Sequence, residues 1–106
     1  MLKVMVTGGN GFIGSATIRG LLSKGIYSPV ATVRKHSDNV ISNCEIIEID
    51  DLQNNVNWKK NLENIDVIIH TAARVHVMND QADDPLNEYR RVNVGGTLNL
   101  AQQAAD

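Results

Sequence analysis

Thr7-Gly8-Gly9-Asn10-Gly11-Phe12-Ile13-Gly14 is the stretch that decides how this chain folds. The six residues up to Thr7, Leu-Lys-Val-Met-Val-Thr, form a short β-type run that stops abruptly at the first glycine. From Phe12 the period changes. Ile13, Ala16, Thr17, Gly20 and Leu21 recur at helical spacing and mark one face of a helix. The glycines therefore lie between a strand and a helix. Gly9, Gly11 and Gly14 satisfy G-x-G-x-x-G, and Gly8, Gly11 and Gly14 satisfy G-x-x-G-x-x-G equally well. Either pattern alone is weak, but at a strand-to-helix junction it has a mechanism. The early glycines permit a tight turn, Gly11 lets backbone approach a pyrophosphate, and Gly14 lets the helix pack closely. The helix N-terminus then offers free N–H groups and a positive dipole to an anion. A purely structural glycine turn is the plainer alternative, and the flanking strand and helix weigh against it.

Working outward, Lys24-Gly25 reads as a helix stop, with Gly25 in the left-handed position. Val30 to Val33, led by Pro29, reads as a second strand and Glu45 to Ile49 as a third. Asn57 caps a weak helical piece carrying Trp58 and Leu62. Asp66-Val67-Ile68-Ile69-His70 is a fourth strand, apolar enough to be expected buried on both faces. A loop from Thr71 to Asp83 follows. Asp84-Pro85 opens a helix expected to run to about Ala105. On it Leu86, Tyr89, Asn93, Gly96, Thr97, Leu100 and Ala104 share one face. Strands alternating with helices imply a parallel sheet with right-handed crossovers. The expected fold is α/β, the first half of a doubly wound Rossmann-type sheet with strand order 3-2-1-4.

The 106 residues allow one small domain with one modest core. Apolar residues at 42% and charged residues at 21% describe an ordinary globular composition and argue against disorder. The formal charge of −2 gives no basic excess for nucleic acid. No apolar run approaches the ~20 residues that cross a bilayer, and because a Gly-rich turn interrupts the apolar stretch after Val6, Met1-Leu2-Lys3-Val4 is not expected to be a signal peptide. Cys44 is the single cysteine, so no internal disulfide forms and a reducing, cytoplasmic setting is expected. His36, His70 and His76 lack metal-ligand spacing.

An acidic residue about 20 positions beyond the glycines would bind the adenosine ribose of NAD. That position is Arg34. A planar guanidinium suits a 2′-phosphate, so Arg34 favours NADP over NAD; a solvated basic turn is the alternative, and nearby Asp38 weakens the argument. Asp50-Asp51-Leu52 follows the third strand, where a carboxylate can accept a hydrogen bond from the adenine amino group or stand as a solvated turn acid.

Thr7-Gly8-x-x-Gly11-x-x-Gly14, Asp51-Leu52, His70-Thr71-Ala72-Ala73 and Asn93-Val94-Gly95-Gly96-Thr97 occur in this order. Together they resemble the extended short-chain dehydrogenase/reductases, and more narrowly the NAD-dependent epimerase/dehydratase group acting on nucleotide sugars. The resemblance covers nearly the whole chain. It implies backbone contacts from Phe12 and Ile13 to the pyrophosphate, and adenine contacts from Asp51 and Leu52. It implies a nicotinamide-side ribose lined by Thr71, Ala72 and Ala73, with Asn93 on the long helix beneath. A structural role for Asn93, bonded to a neighbouring strand, is compatible with that placement. Arg74, His76 and Asn79 follow the fourth strand, where side chains either approach a substrate or are simply solvated. His70 reads as a satisfied core histidine, Tyr89 as core and Cys44 as unactivated.

The resembled family works through a Ser or Thr after a fifth strand and a Tyr-x-x-x-Lys pair, in which the ammonium lowers the phenol pKa. Tyr27 is followed four residues on by Ala31, and Tyr89 by Asn93. No catalytic residue is therefore expected in this chain. It reads as the NAD(P)-binding N-terminal portion, residues 1–106, of a longer UDP-sugar 4-epimerase or 4-keto reductase, inactive alone. The alternative is a non-catalytic NADP-sensing module. With no fifth strand, the fourth would expose an apolar edge and drive self-association.

Overall fold

The computed structural model describes residues 1–34, 44–49, 57–72, 86–87 and 90–105. Four strands form one parallel sheet: β1 (Leu2–Thr7), β2 (Tyr27–Arg34), β3 (Glu45–Ile49) and β4 (Val67–His70), in the order β3-β2-β1-β4. This is the expected doubly wound half. β1 pairs with β2 from Leu2↔Tyr27 to Thr7↔Thr32, and with β4 from Val4↔Val67 to Thr7↔His70. β2 begins earlier than Val30. Pro29 is tolerated there because pairing with β3 starts only at Val30↔Glu45, so the proline lies where β2 has β1 alone as a neighbour.

Alternation along β1 divides the core into two layers. Val4 and Val6 face α1 (Phe12–Lys24), packing with Ile18 and Ala31. Met5 faces the other way, into a cluster with Val30, Ile49, Trp58, Val92 and Leu100. The last two residues belong to the C-terminal helical region, a π-helical segment (Arg90–Gly95) continuing into α2 (Gly96–Ala105). α1 ends as its sequence requires: Gly25 takes φ 72° and its N–H donates to the Leu22 carbonyl at 3.2 Å. At Asn57 the side chain accepts from the Lys59 N–H at 3.1 Å, opening a single turn closed by Leu62 N–H to Trp58 O at 2.9 Å.

Three expectations are corrected. First, α1 buries Gly14 and Ile18, backed by Leu21 and Leu22, rather than the Ile13–Ala16–Thr17–Gly20 face. Ile13 lies in the first turn, beyond the end of the sheet, and is 66% exposed, while Thr17 satisfies its hydroxyl locally on the Ile13 carbonyl at 2.9 Å. Second, β4 is not buried on both faces. It is the sheet edge, and Val67 is 43% exposed. Third, the C-terminal helix is not one α-helix. A π turn takes about one residue more than an α turn, so the stripe rotates and the core side chain is Val92, in line with Gly96 and Leu100. Leu86, Thr97 and Ala104 are exposed and Asn93 half-buried. The Asp84-Pro85 start and Tyr89 lie outside the described residues.

Candidate dinucleotide site

Because the strands are parallel, Thr7, Thr32 and His70 come into register near one edge of the sheet, where β1, β2 and β4 finish. The glycine turn sits on that edge. Gly8 has φ 66°, a conformation that disfavours side chains, and a Cβ there would stand 3.0 Å from Ala72 Cα. Gly9 donates to the Thr32 carbonyl at 3.0 Å and Gly11 to the Gly8 carbonyl at 3.0 Å. A Cβ on Gly14 would meet the Gly8 carbonyl oxygen at 2.1 Å and Thr71 Oγ1 at 3.0 Å. The third glycine therefore lets α1 close onto the turn itself.

Gly11 is the N-cap of α1 and supplies no side-chain hydrogen bond, and the first turn carries no acidic residue. The N–H groups of Phe12, Ile13 and Gly14 thus receive no hydrogen bond from the N-cap residue's own side chain. The side chains of Phe12 and Ile13 stand out at 93% and 66% exposure. An anion approaching here meets backbone donors and the positive end of the helix dipole.

Thr7 fastens the end of β4 to this turn. Its Oγ1 accepts from the Thr71 N–H at 3.0 Å and the Ala72 N–H at 3.2 Å, and lies 2.7 Å from His70 Nδ1. Thr71 Oγ1 donates back to the Thr7 carbonyl. His70 Nε2 lies 3.0 Å from Thr97 Oγ1 on α2. Burial pushes the His70 imidazole below its ordinary value. His70 is the satisfied histidine its sequence position promised, but Thr7 and Thr97 as its partners were not foreseen. No local spacing carries that signal, since it is the β1–β4 register that sets Thr7 opposite His70.

The structure thus gathers Gly8, Gly11, Phe12, Ile13, Gly14, Thr71 and Ala72 around one turn. Arg34 is exposed at the end of β2, two residues beyond the Thr32 that anchors Gly9. Asn93 is half-buried on the π-helical segment. Asp51, Leu52 and Ala73 fall outside the described residues, as do Asp50, Arg74, His76, Asn79 and His36. Cys44 is half-buried; burial raises its thiol, against a smaller lowering by the Ala31 backbone. Among the described residues no cluster of His, Cys, Asp or Glu is arranged to hold a metal, and no helix is long and apolar enough to cross a membrane.

The sequence model of the NAD dependent epimerase/dehydratase family matches residues 4–106. The chain belongs to that family. It is 38% identical over 104 residues to a UDP-glucose 4-epimerase of Vibrio cholerae, covering 98% of this chain and 31% of that one. Chains of known structure superpose well. UDP-glucose 4-epimerase from Brucella ovis in complex with NAD matches with a TM-score of 0.75 and 31% identity, over 97% of this chain and 32% of that one. Gre2 from Candida albicans in complex with NADPH reaches a TM-score of 0.77 at 24% identity, over 97% of this chain and 32% of that one, a likeness of fold. The chain spans about a third of the length of the curated epimerase relatives it matches.

Proposed function

We propose that the chain is the NAD(P)-binding part of an enzyme that exchanges hydride at C4 of a UDP-sugar, as a 4-epimerase or a 4-keto reductase. The observation that carries this reading is the glycine-capped N-terminus of α1, with close-packed glycines at 8 and 14, set where the parallel strands finish. Sequence identity with UDP-glucose 4-epimerase over nearly the whole chain supports the substrate class.

The residues fit the cofactor. A Cβ at Gly14 would collide with the Gly8 carbonyl and one at Gly8 would crowd Ala72, and the Phe12, Ile13 and Gly14 amides are donors for the pyrophosphate. Thr71 and Ala72, with Ala73 next in sequence, border the nicotinamide-side ribose, and Asn93 supports that end from below. Asp51 and Leu52 hold the adenine. Arg34 selects the 2′-phosphate of NADP. A bound nicotinamide would supply hydride exchange with the sugar, and this chain's part is to hold and orient it. Proton transfer at the sugar falls to a Tyr-x-x-x-Lys pair elsewhere in the parent enzyme, and the chain alone is inactive. The setting is cytoplasmic.

Arg34, in place of a ribose-binding carboxylate, also favours a second reading, an NADP-sensing module without turnover. Calorimetric titration with NAD and NADP tests what both readings share: either nucleotide should bind, and Gly14→Ala should abolish it. Turnover of UDP-glucose or UDP-galactose by the parent separates the two.

A further inference from the structure

The His70 ring sits between two hydroxyls, and hydrogen counting fixes its state. A threonine hydroxyl has one proton and two lone pairs. Both lone pairs of Thr7 Oγ1 are taken by the Thr71 and Ala72 N–H groups. Its own proton must therefore go to His70 Nδ1, 2.7 Å away. Nδ1 is then an acceptor. The ring proton resides on Nε2 and is donated to Thr97 Oγ1 at 3.0 Å.

We propose that His70, neutral and protonated at Nε2, is a positioning residue for the dinucleotide cradle, and that its protonation loosens the cradle. Adding a proton at Nδ1 turns an acceptor into a donor facing Thr7 Oγ1. That oxygen would then be asked to accept three hydrogen bonds and donate none inward. One amide, Thr71 or Ala72, must let go. These amides hold the β4 end against Gly8, where Ala72 Cα stands 3.0 Å from the position a Cβ would occupy. Their release frees the wall of the turn that faces the phosphates.

Among the described residues, the charged groups on the elements around His70 do not offset this. α2 carries no titratable residue. Lys3 on β1 and Asp66 before β4 lie four residues from the row, about 13 Å along the strands. The remaining charged residues of these elements, Arg34 on β2 and Arg90 and Arg91 on the π-helical segment, are all cationic and supply no anionic partner for a charged ring. Desolvation acts in the same direction.

The proposal rests on the dinucleotide reading for its functional consequence, so the test has two arms. Long-range ¹H–¹⁵N correlation on the ¹⁵N-histidine chain at about pH 7.5 reads the tautomer without any ligand. The expected result is a neutral His70 with its proton on Nε2. A proton on Nδ1, or a charged ring, overturns the proposal. In the second arm NAD is titrated into the wild-type chain and into His70→Asn, which keeps an acceptor near the Nδ1 position and cannot be protonated. Wild-type affinity should weaken about fivefold as His70 titrates, the scale of one net hydrogen bond. The His70→Asn affinity, whatever its level, should stay flat over the same range. Identical pH profiles overturn the proposal. Absence of NAD binding by both proteins at every pH overturns the dinucleotide reading instead and leaves the tautomer result standing.

Discussion

A Cβ on Gly14 would lie 2.1 Å from the carbonyl oxygen of Gly8, inside any permitted contact. The two glycines therefore fix each other. Gly8 takes the left-handed conformation that aims its carbonyl at α1, and Gly14 leaves room for it. Gly14→Ala should destabilise the chain by about 2 kcal/mol or more, since backbone rather than a flexible side chain must yield. Chemical denaturation reads this directly. An alanine variant of unchanged stability would mean that the turn is looser than described.

The two isoleucines of α1 make a contrasting pair. Ile18 is 1% exposed between Val4, Val6 and Ala31, whereas Ile13 is 66% exposed. Ile18→Ala should cost ~2–5 kcal/mol of folding stability, and Ile13→Ala about 0.5 kcal/mol or less. Equal costs would restore the helix face expected from the sequence alone.

Arg34 is exposed where β2 ends. If it holds a 2′-phosphate, Arg34→Ala should weaken NADP binding by roughly tenfold or more, the scale of a charge-assisted pair, and leave NAD unchanged. Tighter binding of NAD than NADP, unaffected by the substitution, would remove the cofactor preference.

Acid should weaken the fold through His70. Burial sets its folded-state value below the ordinary imidazole value, so the unfolded chain takes up the proton first. The stability tied to the neutral ring is complete above about pH 6.5. It is lost as pH falls through the lower, folded-state value. Thermal melts should give a lower Tm at about pH 5 than at about pH 7.5, with a smaller difference in His70→Asn. The same slope in both proteins would locate the acid sensitivity elsewhere.

β4 is the edge of the described sheet, with Val67 43% exposed. Such an edge templates pairing with another strand. Sedimentation should show concentration-dependent association of the chain, reduced by Val67→Lys. A monodisperse monomer with a high unfolding midpoint would contradict this.

Local pattern was enough for much of this architecture. β1 and β3 begin and end where their runs of β-type residues stop, and Gly25 closes α1 because only a residue tolerant of positive φ suits that place. Two faces were misread for different reasons. On α1, hydropathy alone assigns Ile13 to the core, although in the first turn of the helix its side chain is exposed. In the C-terminal region the π segment at Arg90–Gly95 breaks the 3.6-residue period, so counting back from Leu100 meets Asn93 where the core holds Val92. The glycine turn was legible because its spacing is local. The Thr7–His70 contact was not, because it joins strands far apart in sequence and needs their register.

The most direct test is an amide chemical-shift titration of the ¹⁵N-labelled chain with NAD and then NADP. The account predicts saturable shifts centred on Gly11, Phe12, Ile13 and Gly14, with secondary shifts at Thr71 and Ala72, all absent in Gly14→Ala. Saturating nucleotide that leaves those amides unmoved, or moves only residues away from the glycine turn, would contradict it.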